Sequence, residues 1–216
     1  MVQAVIFDMD GLLIDSEPVW DDVRRAMADE AGTPWTKDDH LAVMGVSTAE
    51  WADHMLARLQ LQMSREEVIE HVVGRMAESY AKGIPWLPGA LDAIDLAVAN
   101  YRVALASGSH RALIDVVTAD AAVAGKFEII VAADEVGAGK PAPDVYLAAA
   151  ERLGVDPTTC VCLEDSSNGI LSGVAAGMKV IAVPDPRFPS KPEVIAQADL
   201  VLSSLTELSA ERLARL

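Results

Sequence analysis

The stretch "FDMDGLLIDSE" (Phe7–Glu17) closes a short apolar run and sets two carboxylates, Asp8 and Asp10, one residue apart just beyond it. Like charges at that spacing repel, so a segment that only needed to fold would not gather them there. The residues leading into it, "VQAVIF" (2–7), are apolar without alternation, as a strand buried on both faces requires. Runs of the same kind recur as "RVALAS" (102–107), "EIIVAA" (128–133), "CVCL" (160–163), "KVIAV" (179–183) and "DLVL" (199–202). Between them lie Ala- and Leu-rich helical stretches such as "APDVYLAAAERLG" and "NGILSGVAAG", ending in Gly154 and Gly177, where a left-handed cap costs least. Apolar strands alternating with helices predict an α/β fold: a doubly wound, Rossmann-like parallel sheet covered on both faces.

Residues 16–83 break that rhythm, because they carry helix signals only. Ser47 with Glu50 and Ser64 with Glu67 fit the capping box that opens a helix. Gly32-Thr33-Pro34 and Gly83 mark stops, and "GIPWLPG" (83–89) reads as a hinge back to the sheet. The expected organisation is a core made of residues 1–15 and 84–216, with an all-helical insertion at 16–83.

Bulk properties narrow the partners. Of 216 residues 51% are hydrophobic, enough for a full core. Seventeen basic against 33 acidic residues give a net charge of −16, which argues against nucleic acid and anionic membrane as partners. An anionic substrate would need local positive groups. The start of the chain does not read as a signal peptide and no stretch reads as a membrane span, so a cytoplasmic protein acting as a monomer is expected. The two cysteines, Cys160 and Cys162, are read as structural thiols on opposite faces of one strand.

In doubly wound sheets ligands bind beyond the carboxyl ends of the strands, so the residues that follow each strand test for a site. Asp8, Asp10 and Gly11 follow the first strand and Ser107-Gly108-Ser109 the second. "GAGKPAP" with Lys140 follows the third, and Glu164-Asp165-Ser166 the fourth. Polar loop starts account for any one of these more easily than for all four. Asp8, Glu164 and Asp165 make an oxygen-only set suited to Mg2+, and the cation together with the Lys140 ammonium would offset their repulsion. Asp8 is then placed to attack phosphorus, and Asp10 to protonate a leaving alcohol and deprotonate the attacking water. Gly11 and Gly108 would let backbone N–H groups approach phosphoryl oxygens.

"DMDGLLIDSE", "ASGS", "KPAPDVY" and "LEDSSNG" resemble, in order and context, the four motifs of the haloacid dehalogenase-like phosphohydrolases. The resemblance covers nearly the whole chain, and residues 16–83 correspond to that family's helical cap. Within the family the chain is most similar to bacterial sugar and sugar-alcohol phosphatases. The resemblance implies that Asp8 forms an aspartyl-phosphate and that Asp10 is the general acid/base. It implies that Ser107, Gly108 and Lys140 hold the phosphate of a small phosphorylated metabolite. Mg2+ would bind Asp8, Asp165 and the carbonyl of Asp10, with Glu164 in support. Glu17 and Trp20, just past the catalytic loop, are cap candidates for touching substrate.

Two alternatives stay open. β-Phosphoglucomutase-type relatives carry a His where this chain has Trp20, and an Arg after "GVS" where it has Thr48; lacking both, the chain resembles a phosphatase more than a mutase. A phosphorelay receiver module uses the same groups, but its accepting Asp follows the third strand and it has no helical insertion. "GAGKP" lacks the Ser or Thr a P-loop needs after its Lys, and the adjacent Ser109-His110 is a poor nucleophile–base pair. His40, His54 and His71 read as solvated helix histidines, and Trp35 and Trp51 as core of the insertion.

Overall fold

A computed structural model of the chain describes residues 1–43, 46 and 48–216. Strand β1 (Ala4–Phe7) is followed by helices α1 (Glu17–Glu30), α2 (Lys37–Ala42), α3 (Thr48–Leu59) and α4 (Arg65–Tyr80). The chain continues through α5 (Ala90–Asn100), β2 (Arg102–Ser107), α6 (Arg111–Thr118), β3 (Ile129–Ala132) and α7 (Asp144–Leu153). It then runs through β4 (Cys160–Glu164), α8 (Ser167–Ala175), β5 (Lys179–Ala182), α9 (Pro192–Ile195), β6 (Leu200–Val201) and α10 (Ala210–Ala214). All six apolar runs read from the sequence are strands. They pair in parallel in the order β3-β2-β1-β4-β5-β6, so the winding reverses between β1 and β4. Gly154 and Gly177 take the left-handed conformation expected of them, at φ +69° and +74°.

Side chains two apart on a strand share a face. Ala4 and Ile6, Ala104 and Ala106, and Cys160 and Cys162 all enter one apolar layer with Tyr146 and Ala149 of α7. This corrects the expectation for the cysteines: at positions i and i+2 they point to the same side. Both are buried free thiols. Gly173 of α8 lets the helix sit close, since a Cβ there would lie 2.3 Å from Cys162 Sγ. The alternate residues Val5, Phe7, Val103, Leu105, Val161 and Leu163 are also buried, so both faces of the sheet are covered.

The chain divides into two compact units, Met1–Asp15 with Pro85–Leu216, and Ser16–Ile84. In the helical unit α4 packs on α1 and α3, and Met27, Trp35, Trp51, Met55, Val72, Met76 and Tyr80 are buried. Each such side chain contributes roughly 1.5–3 kcal/mol relative to exposure. The Ser64–Glu67 capping box forms, and a second, between Thr36 and Asp39, opens α2. Ser47, half of the other expected box, lies outside the described residues. His40 is not solvated: it is buried, with Nδ1 3.2 Å from Asp21 Oδ1 and Nε2 3.7 Å from Glu17 Oε2. Burial in an apolar helical unit, together with Arg24 and Arg25, holds its ring below the usual histidine range against the pull of Asp21. His54 is half-buried, edge-on to Trp35, and His71 is exposed. Trp20 lies 5.8 Å from Trp51, with the Arg24 guanidinium over its ring. Among the described residues no helix is long and apolar enough to cross a membrane.

Candidate active site

The register of the central strands builds the site. Phe7 pairs with Leu163, and the Asp8 N–H donates to the Leu163 carbonyl at 3.1 Å, so Asp8 emerges beside Glu164 where the winding reverses. Lys140 arrives from the loop between β3 and α7, after which the Lys140–Pro141 peptide is cis. Its Nζ donates to Asp8 Oδ1 and Glu164 Oε1, each at 2.5 Å, and to the Ala106 carbonyl at 3.1 Å. Glu164 is fully buried; its Oε1 also accepts the Tyr146 hydroxyl at 2.7 Å and its Oε2 the Ser166 hydroxyl at 3.3 Å. Two glycines make room. A Cβ on Gly11, at φ +77°, would meet Asp165 Oδ2 at 2.3 Å, and one on Gly169 would overlap the Glu164 carboxylate at 1.8 Å.

Charge is unbalanced here. Asp8 is raised to about 7, chiefly by burial, with Glu164 and Asp10 adding to it and Lys140 opposing. Asp165 is pushed well up by burial and then by the charges of Glu164 and Asp8. Burial pulls Lys140 down, but Asp8 and Glu164 together carry it above the ordinary lysine range, so it stays an ammonium. Ligand oxygens of Asp8, Glu164 and Asp165 lie within 4.8 Å of one another. Three acids against one ammonium, all oxygen donors, fit a hard divalent cation such as Mg2+.

Asp10 is not part of that carboxylate set. Its Oδ2 accepts the Ser109 hydroxyl at 2.6 Å and the Ser107 hydroxyl at 3.3 Å, while Oδ1 is enclosed without a hydrogen-bond partner. Ser107 is buried at the end of β2, and its Oγ accepts the Ser109 N–H at 3.0 Å. A Cβ on Gly108 would meet nothing within 4 Å, so packing within the protein does not require a glycine there. The core unit thus brings together Asp8, Asp10, Ser107, Gly108, Lys140, Glu164 and Asp165, whereas Glu17 and Trp20 belong to the helical unit. The sequence places Ser109 and Ser166 on the rim without giving them a role, and it does not single out Tyr146 or Gly169. For Tyr146 the available signal was its place six residues after Lys140, one helical approach away on "KPAPDVY".

The family profile described as haloacid dehalogenase-like hydrolase matches residues 2–177. Hexitol phosphatase B of Escherichia coli (strain K12) is 39% identical over 215 residues, covering 98% of this chain and 96% of that protein. CbbY from Rhodobacter sphaeroides, solved in complex with phosphate, superposes with a TM-score of 0.88 at 26% identity, covering 100% of both chains. β-Phosphoglucomutase from Clostridium difficile gives a TM-score of 0.82 at 26% identity over 100% of this chain and 96% of that one. With a sheet, a rim and a whole-length relative all in agreement, the chain belongs to the haloacid dehalogenase-like hydrolases.

Proposed function

We propose that the chain is a Mg2+-dependent phosphatase that hydrolyses small phosphomonoesters of sugars or sugar alcohols through an aspartyl-phosphate on Asp8. The observation that carries this reading is the Lys140 ammonium clamped between Asp8 and Glu164 inside a ring of carboxylates at the strand ends. Similarity to a hexitol phosphatase supports a polyol phosphate as substrate. Asp8, Glu164 and Asp165 would hold Mg2+, which when bound supplies positive charge to a phosphoryl oxygen and to the acids around it. Asp8 attacks phosphorus in line with the leaving oxygen. Lys140 and Ser107 donate to the non-bridging phosphoryl oxygens and keep Asp8 oriented. Asp10 gives its proton to the departing alcohol, then takes one from the water that cleaves the phosphoenzyme.

Similarity to β-phosphoglucomutase keeps a mutase as the second reading. A mutase must grip the distal phosphate of a bisphosphate with a cation in its cap. In the helical unit Arg25 pairs with Asp21, Arg58 with Asp39, Arg65 with Asp53 and Arg75 with Glu30. Arg24 is buried, which lowers its basicity against the pull of Glu17 and Asp21, and its Nε and Nη1 have no hydrogen-bond partner; Lys37 and Lys82 are exposed. The commitment of Arg25, Arg58, Arg65 and Arg75 to carboxylates favours the phosphatase, and Arg24 is the cation on which the mutase reading rests. Given β-glucose 1-phosphate and catalytic glucose 1,6-bisphosphate, the protein should release free phosphate and form little glucose 6-phosphate. Hexitol phosphates should turn over with Mg2+ and stop with EDTA. Glucose 6-phosphate outpacing free phosphate would reverse the choice, and no turnover of any phosphomonoester would favour a receiver-like role.

A further inference from the structure

The loop "SGS" (107–109) directs two hydroxyls and one N–H in a closed chain of hydrogen bonds. Ser109 N–H donates to Ser107 Oγ at 3.0 Å, and both hydroxyls converge on Asp10 Oδ2, Ser109 at 2.6 Å and Ser107 at 3.3 Å. The loop itself is fixed from both sides. Ser107 ends β2, and His110 caps α6 by accepting the Ala112 N–H at its Nδ1, 3.2 Å away. We infer that Ser109 is the positioning residue of Asp10, its hydroxyl fixing the carboxyl at Oδ2 for proton exchange with the leaving group. This rests on the phosphatase reading above and names a residue that reading leaves without a task.

A carboxyl on a two-bond stem swings freely, and an acid/base must sit within about 2.6–3.2 Å of the oxygen it serves. The 2.6 Å contact from Ser109 is short and strong for a hydroxyl on a carboxylate, whereas Ser107 at 3.3 Å is a weaker tie and has phosphate to bind. In the first half-reaction the Asp8 O–P bond forms and the ester P–O bond breaks. Its electron pair stays on the leaving oxygen, which takes the proton of the Asp10 carboxyl. In the second, the water O–P bond forms and the Asp8–P bond breaks, its pair returning to Asp8. A water proton passes to the Asp10 carboxylate, so both aspartates end as they began, and ester plus water have become alcohol plus phosphate.

The test compares two substrates that differ in their need for that proton, in the full chain with Mg2+. Ser109→Ala should lower kcat about 10- to 100-fold on glycerol phosphate, whose alkoxide must be protonated, and no more than about threefold on nitrophenyl phosphate, whose leaving group departs as an anion. Turnover of the aryl ester also reports that the variant is folded. Ser109→Thr, which restores a hydroxyl, should recover glycerol phosphate turnover to within about threefold. Equal losses on both substrates would assign Ser109 to the phosphate or to the fold and overturn the inference. So would an unchanged alkyl rate in Ser109→Ala, or a threonine variant no better than alanine. If the wild-type protein hydrolysed neither ester, the phosphatase reading itself would fall, and this inference with it.

Discussion

Asp8 in the core and Asp39 in the helical unit are both nearly buried aspartates, yet their acidity moves in opposite directions. Asp8 is raised to about 7 and Asp39 lowered to about 2. Burial pushes both up, and the neighbours decide the outcome. Asp39 accepts from Arg58 Nε at 2.7 Å, from the Thr36 hydroxyl at 2.7 Å and from the Thr36 N–H at 2.9 Å. Asp8 has the one ammonium of Lys140, shared with Glu164, and two further acids close by. The helical unit surrounds its acid with more donors than it needs, which stabilises α2. The core does the reverse and leaves its acids short of positive charge, a state suited to receiving a cation and a substrate.

That contrast breaks first at Asp8. Asp8→Asn should abolish phosphate release by many orders of magnitude, because the uncatalysed reaction is among the slowest known and an amide cannot form the phosphoenzyme. It should leave the metal-free thermal midpoint unchanged or raise it, since one of three mutually repelling acids is gone. Normal turnover in a contaminant-free preparation would remove Asp8 from its role; a large fall in midpoint would mean that the site acids stabilise the fold as Asp39 does.

Gly169→Ala attacks the same region by sterics. The added Cβ would lie 1.8 Å from the Glu164 carboxylate, so either Glu164 or the start of α8 must move. Overpacking of this kind costs about 1–3 kcal/mol, and a shift near 1 Å in the group that holds Lys140 costs about 100-fold in rate. Thermal unfolding and kcat measured on one sample separate the two losses. Wild-type values for both would show that Glu164 relocates without consequence.

The two regions were not equally legible. Six apolar runs and the polar residues that end four of them could be read directly, because parallel strands buried on both faces leave no periodicity to misjudge and their rim residues follow at once in sequence. The order β3-β2-β1-β4-β5-β6 was not available from those runs, since Ala4 pairs with Cys160, far along the chain, and nothing local encodes such pairing. The sequence sets Ser109 on the rim after β2 and next to His110, and neither placement shows what it touches. Its contact is Asp10, 99 residues away, and His110 turns instead to cap α6. In the helical unit the Ser64–Glu67 box was found and the equivalent Thr36–Asp39 spacing passed over, although both fit one pattern. His40 looked solvated because its sequence neighbours are polar. Its surroundings are set by Glu17 and Asp21 on α1, a packing that no window of sequence shows.

The smallest effect is also the most specific to the helical unit. Asp39→Asn keeps the side chain's shape but removes the charge that Arg58 and the start of α2 rely on. At neutral pH it should lower stability by about 1 kcal/mol, the usual value of a helix cap. The pH dependence then tests the cause. Folded Asp39 binds its proton at about 2 and the unfolded residue at 3.8, so its contribution is complete above 3.8 and is lost as pH falls toward 2. The groups facing it are Thr36, Arg58 and the His54 ring, whose Nε2 is 3.9 Å away. Other carboxylates are also held below their usual range, Asp185 by Arg187 and Asp199 by Lys179 against burial, so the difference between wild type and variant is the quantity to follow. That difference should be constant from neutral pH down to about pH 5 and shrink toward zero near pH 2, as protonation makes Asp39 as uncharged as its replacement. A gap that persisted unchanged to pH 2 would assign the loss to the geometry of the amide, and the opposite behaviour of the two aspartates would no longer follow from charge.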